Sequence, residues 1–267
     1  MAPVSDDRVI QAIALVQDAA VAPDQFVTSA RLLFEESGGD TNDALLDARR
    51  ATLATFGAGS AAVKGLANAC EHDLPYAMAC LLLMRNMARD QDESAKIVHQ
   101  YNAAPLILRA MQQFGVAKEA CGALSNLSVS RPNRLALLDA GLADAIASAV
   151  LSSLGEARVV EYGVCALANL ALCADVNTAV RWPSTVPAVI AGMRTQAVGM
   201  RNQRVGESGC RFFGTLAARQ ENRSEFFRGG AAQVVLDTMR VQALVPSVAE
   251  WGCQLLRFIS QSLLSVP

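Results

Sequence analysis

Aromatic side chains are scarce in this chain, 5% of 267 residues, and charged ones are few at 18%, against 52% hydrophobic. An interior short of rings has to be filled by Ala, Leu, Val and smaller groups, which suits helices packed closely on helices. No apolar run reaches the roughly 18 residues that a membrane span needs. The longest, Tyr76 to Met84, is stopped by Arg85. The start, Met1-Ala2-Pro3-Val4-Ser5-Asp6-Asp7, has no basic region leading into an apolar one, so no secretory signal is expected. Ala2 in place of glycine excludes N-myristoylation. A basic surplus is missing as well: the net charge is −2 and the sequence pI is near 5.8, which argues against nucleic acid as the partner.

Residues for catalysis or metal binding are equally thin. The histidines are His72 and His99 alone, and the Cys70-Glu71-His72 pair has no second Cys/His pair at metal spacing. Gly57-Ala58-Gly59-Ser60-Ala61-Ala62-Val63-Lys64-Gly65 has the outline of a phosphate loop. It lacks glycine before the lysine and Ser or Thr after it, so it reads as a helix break. There is no G-x-S-x-G elbow and no paired-carboxylate motif. The chain is therefore read as non-enzymatic, with no cofactor and no metal.

What the chain does have is repetition. Asn86, Asn126, Asn169, Thr215 and Phe258 align at intervals of 40 to 46 residues. Six positions before each stands a small residue: Cys80, Ala120, Gly163, Gly209 and Gly252. Two before stands a large apolar one: Met84, Leu124, Leu167, Phe213 and Leu256. One after stands another: Met87, Leu127, Leu170, Leu216 and Ile259. A period of this size marks stacked helical units, none of which buries its apolar face without its neighbours. Cys121, Cys210 and Cys253 share the register five before the aligned residue. With seven cysteines, an odd number, this points to buried free thiols in a reducing setting, cytoplasmic or nuclear, with no disulfide frame.

Each unit reads as three helices. Asn133 to Asp139 is a short first helix, Ala140-Gly141 a left-handed turn, Leu142 to Ser152 a second helix and Ala157 to Ala171 a longer third. The order recurs as Glu93 to Gln100, Asn102, and a second helix that Pro105 helps to open. It recurs again as Glu221 to Arg228, Gly229-Gly230, and Ala231 to Val241. Arg181-Trp182-Pro183-Ser184 replaces the glycine turn in one unit. Upstream, Asp6 to Ala20 and Pro23 to Ser37 read as two helices, divided from Thr41 to Phe56 by Gly38-Gly39-Asp40. Residues 1–40 are expected to be a terminal cap and residues 41–267 the solenoid.

On a wheel at about 100° per residue the third helix has two faces. Positions six, five and two before the aligned residue, and one after it, form the core side. Positions eight, seven and four before it, with the aligned residue itself, form the opposite side, expected to line a groove. Glu161, Glu207 and Glu250 stand there with Tyr162 and Trp251 beside them. That set suits Arg- or Lys-bearing segments through charge pairing and cation–π contact. Glutamates at helix starts also complement the macrodipole, a purely structural use.

Glu119-Ala120-Cys121-Gly122-Ala123-Leu124-Ser125-Asn126-Leu127-Ser128 resembles the third helix of an armadillo repeat. So does Tyr162-Gly163-Val164-Cys165-Ala166-Leu167-Ala168-Asn169-Leu170-Ala171, and Met84-Arg85-Asn86-Met87-Ala88 is a looser copy. The likeness spans about residues 41–262. It implies an all-α fold, a right-handed superhelix of about five three-helix repeats whose third helices line a groove for extended polypeptide. It also implies that Asn86, Asn126 and Asn169 hydrogen-bond the backbone of the bound segment. Thr215 and Phe258 depart from that pattern. Nuclear-import receptors of the family carry tryptophan four positions before the asparagine. Here Leu82, Gly122, Cys165, Arg211 and Gln254 stand in that column, so import-type recognition of basic signals is not expected.

The expectation is a protein-binding scaffold or adaptor. Two rivals stand beside it: a regulator gripping a folded GTPase or cytoskeletal partner, and a helical-repeat DNA glycosylase, which the acidic balance disfavours. The asparagines themselves carry two readings, as contacts to a visiting backbone or as ties between neighbouring units.

Overall fold

The computed structural model describes residues 7–18, 23–36, 47–69, 74–173, 184–195 and 202–264. Secondary structure among them is helical throughout, and the chain divides into two units, residues 1–142 and 143–267. The first contains α1 (Asp7–Gln17), α2 (Pro23–Glu36), α3 (Asp47–Thr55), α4 (Ala58–Asn68) and α5 (Leu74–Met87). It continues with α6 (Gln91–Ala95), a π-helical turn (Lys96–Gln100), α7 (Ala103–Gln113), α8 (Ala117–Leu127) and α9 (Arg131–Asp139). The second is described by α10 (Leu142–Ser152), α11 (Ala157–Ala171), α12 (Thr185–Arg194) and α13 (Gln203–Leu216), then α14 (Gln220–Gly229), α15 (Ala231–Val241) and α16 (Pro246–Leu264). The Gly38–Asp40 divider, the first residues of the expected Thr41 to Phe56 helix, the Cys70–His72 pair and Arg181–Pro183 lie outside the described residues.

The turns between first and second helices fall where left-handed backbone is cheap. Gly141 has φ 79°, Gly230 φ 81° and Asn102 φ 53°. Glycine meets no Cβ penalty in that region, and asparagine tolerates it better than most residues. At the upstream break only Gly57 is left-handed, at φ 81°, and Ala58 and Gly59 already belong to α4. The π-turn was not visible in the periodicity, because Glu93, Ser94, Ile97 and Val98 keep helical spacing and are all buried.

Like packs on like. In the first unit the third helix α5 packs on both α2 and α8, and the second helix α4 packs on α1 and α7. In the second unit α13 packs on α11 and α16, and α12 on α15. Thus α1 and α2, from the segment expected to cap the stack, take second- and third-helix places.

The core columns fill the space between. Leu124, Leu127, Leu167, Leu170, Phe213 and Leu216 are at most 1% exposed. Each such side chain contributes about 1.5–3 kcal/mol by leaving water. Phe213 also meets Phe212 and Phe226 edge to face, with ring centroids 5.2 and 5.5 Å apart. At two positions the small-residue column makes room for methionines from the second helices. A Cβ on Gly209 would stand 2.2 Å from Met193 Sδ, and one on Gly252 would stand 2.4 Å from Met239 Sδ.

The cysteine column is split. Cys121 and Cys210 are fully buried, and burial pushes both thiols up to about 12. Cys253 is exposed instead of buried. Helix α16 faces its neighbours through Val248, Gly252, Leu255 and Ile259, and no described helix covers the Cys253 side.

Two acids are buried among the described residues of the first unit, Glu93 and Glu119, and Glu93 is the deeper. Glu93 is 1% exposed, its carboxylate 3.4 Å from Lys96 Nζ and packed against Gly59 at the start of α4. Burial is the largest influence and raises its pKa; Lys96 and the Gly59 N–H oppose it, and Asp90 adds to the rise. A raised native pKa means that the fold holds the proton more tightly than the unfolded chain does. That contribution is complete below the ordinary carboxylate pKa and is lost as pH rises through the native value.

Two outcomes are expected. Gly209→Ala should lower stability by about 1 kcal/mol, overpacking outweighing the gain in helix propensity. Gly155→Ala, with nothing within 4 Å of its Cβ position, should be neutral or better. Urea titration of both variants checks this, and equal midpoints would refute the packing account. Glu93→Gln mimics the protonated acid, so its melting temperature relative to wild type should climb as pH rises above the ordinary carboxylate range and through the raised native value. A difference that stays flat or falls with pH would be inconsistent with a raised pKa.

Candidate protein-interaction face

The third helices are tied to one another by side-chain amides and guanidinium groups. Asn126 Nδ2 on α8 donates to Arg85 O on α5 at 2.7 Å. Asn86 Nδ2 on α5 donates to Phe34 O on α2 at 3.4 Å, and Arg85 lays its guanidinium 5.3 Å from the Phe34 ring centroid. In the second unit Arg211 Nη2 on α13 donates to Asn169 Oδ1 on α11 at 2.7 Å. Asn86 is fully buried and Asn169 is 6% exposed, while Asn126 is half-buried. The bond to Arg85 uses one Nδ2 hydrogen of Asn126, leaving its second hydrogen and its oxygen.

Asn126 also lines a pocket of about 430 Å³ where α5 passes into α6 and α8 into α9. Its other polar lining is Arg89, Gln91, Ser94, Ser130 and Arg131, with Ala88 and Val129 completing it. Val129 is 58% exposed. Next to the pocket, the last carbonyls of α8 are capped from α9. Asn133 Nδ2 donates to Leu127 O at 3.0 Å and to Ser94 Oγ at 2.9 Å. Arg134 donates through Nε to Ser128 O at 2.8 Å and through Nη2 to Val129 O at 2.5 Å. The device recurs in the second unit. Asn222 Nδ2 donates to Leu216 O, and Arg223 donates to Ala217 O and Ala218 O. A helix leaves its final carbonyls without intrahelical partners, and these Asn–Arg pairs supply them. The sequence carried the signal as an Asn-Arg dipeptide seven and eight residues past Asn126 and Thr215.

The face of the second unit is less acidic than its glutamates suggest. Glu161 is 8% exposed and meets Arg204 Nη1 at 3.2 Å, Arg158 Nη1 at 3.4 Å and Asn202 Nδ2 at 3.2 Å. The same two arginines stand 5.8 Å from the Tyr162 ring centroid. Burial works against the Arg204 cation, but Cys165, Glu161 and Tyr162 together more than offset it and raise its pKa. Glu207 accepts from Gln203 Nε2 at 2.8 Å, and Glu250 is exposed. Trp251 is half-buried with its ring edge against α13, 3.0 Å from where a Gly214 Cβ would stand. Glu161 and Tyr162 thus share one cluster with Arg158 and Arg204, while Asn169 and Arg211 form a separate bonded pair.

The pocket residues sit largely on the helix junctions, off the third-helix wheel, so its periodicity does not reveal them. Among the described residues no helix is long and apolar enough to cross a membrane, and no group of His, Cys, Asp or Glu is placed to hold a metal.

No family model matches the sequence, and no curated protein matches it. Solved structures do. A designed armadillo repeat protein superimposes with a TM-score of 0.72 at 15% identity, over 94% of this chain and 99% of its own. An engineered protein gives 0.73 at 17% identity, over 95% and 97%. A designed armadillo repeat protein in complex with the peptide (KR)4 gives 0.68 at 15% identity, over 91% and 99%. At these identities the likeness is one of fold. This chain is an all-α solenoid with the armadillo-like repeat fold.

Proposed function

We propose that this chain is a non-enzymatic scaffold or adaptor that holds an extended segment of a partner protein against its third-helix face. The supporting observation is Asn126, whose amide spends one hydrogen on Arg85 O while the residue lines the pocket at the surface. An extended backbone offers alternating donors and acceptors, which a carboxamide matches in both senses. Asn86 and Asn169 are more deeply placed and hold the third helices together, so their share in binding is chiefly to keep the face in register. The likeness to a designed armadillo protein complexed with (KR)4 supports a peptide partner. In the second unit, basic side chains of such a segment would find Glu207 and Glu250 beside Trp251, since Glu161 already has Arg158 and Arg204.

The test is a peptide-display selection against the chain, followed by anisotropy titration of a selected segment against Asn126→Ala. One backbone hydrogen bond contributes about 0.5–1.5 kcal/mol, so affinity should fall roughly two- to ten-fold. Asn86→Ala should lower the melting temperature with a smaller effect on affinity. Segments that bind Asn126→Ala as tightly as wild type would refute Asn126's role in binding, and a selection yielding none would refute the scaffold reading.

A further inference from the structure

We infer that helix α16 pairs with α16 of a second copy of this chain, antiparallel, across a two-fold axis near Cys253 and Gln254. The inference stands apart from the scaffold reading. On α16 the side packed into the second unit carries Val248, Gly252, Leu255 and Ile259. The opposite side carries Ala249, Glu250, Cys253, Arg257 and Ser260, all exposed, with Leu256 half-buried at its margin. Helix α13, whose matching Cys210 is fully buried, has α16 packed on it. No described helix does the same for α16. Its open residues Ala249, Cys253, Leu256 and Ser260 follow at steps of four, three and four, the spacing of a seam between paired helices. Ala, Cys and Ser are small, so a second helix can approach closely there.

Charge decides what fits the seam. Glu250 and Arg257 are two turns apart and within about 20° on the helical wheel, so they stand along one edge of it. A two-fold axis that set the copies parallel would bring Glu250 to Glu250 and Arg257 to Arg257. The antiparallel arrangement sets Glu250 of each copy against Arg257 of the other, twice over, as a self-complementary contact requires. In the single chain Glu250 has no ion-pair or hydrogen-bonding partner among the described residues. The Arg257 guanidinium lies 5.1 Å from the Phe258 ring centroid. That contact uses its flat face and leaves N–H edges for a carboxylate. Glu250 also borders the third-helix face, so a basic segment bound there and a second copy would compete for it.

One helix pair lies at the small end of specific interfaces, so the dimer should be weak, with a dissociation constant on the order of tens of micromolar. Sedimentation velocity of the full chain over a micromolar concentration series is the test. Wild type should move from 28.2 kDa toward twice that mass. Glu250→Arg and Arg257→Glu each set two like-charge pairs across the axis and should weaken association about ten-fold. Glu250→Arg/Arg257→Glu should restore it. Both residues are exposed, so each single variant should keep the wild-type melting temperature, which separates lost association from lost fold. A short bis-maleimide should join two chains through Cys253, and Cys253→Ser should abolish that product. A chain that stays at 28.2 kDa throughout would leave the face to another occupant and overturn the inference. So would a dimer indifferent to both charge reversals, or one that the paired reversal fails to restore. None of these results bears on the Asn126 titration, on which the scaffold reading depends.

Discussion

Everything in each unit depends on third helices lying close enough for a side chain of one to bond the next. Each third helix also has to seat a second helix, and the glycines of the small-residue column make that room. Where Gly209 and Gly252 face Met193 and Met239, a single methyl group would occupy space the thioethers already fill. The glycine gives up helix propensity and gains a methionine that fits an uneven gap. The apolar columns then bury, except for Leu256, which stays half-buried, and the cross-helix hydrogen bonds become geometrically available. Asn126 reaches Arg85 O only because α8 and α5 are in contact.

Polar groups in this fold are mostly occupied with holding it. The asparagines tie third helix to third helix, the Asn–Arg pairs close the ends of α8 and α13, and Arg109 Nη2 on α7 reaches Leu66 O and Ala67 O at 3.0 Å each. Even the charged cluster around Glu161 spends its cations internally. The junctions between repeats are held by fewer such ties. There the chain must leave one helix and begin another, and side chains are less constrained by the stack.

Much of the architecture could be read from residue spacing. The boundaries of α10 and α11, the left-handed turns at Asn102, Gly141 and Gly230 and the buried columns all follow from local rules of helix periodicity and backbone sterics. What stayed hidden was set by tertiary partners. Cys253 shares its register with Cys121 yet is exposed, since burial depends on a covering neighbour and not on the wheel. Glu161 looked like free negative charge, but Arg204, a long way off in sequence, folds onto it. The pocket was invisible for a related reason: Arg89 and Arg131 belong to junctions of different repeats and obey no shared period.

Asn126 stands at a seam and at a cavity wall at once. Whatever fills the cavity therefore also clamps the joint between α5 and α8, and whatever loosens the joint spoils the cavity. By linkage, the free energy of occupancy must reappear as resistance of that joint to opening. A guest in this solenoid would act as a rivet as well as cargo.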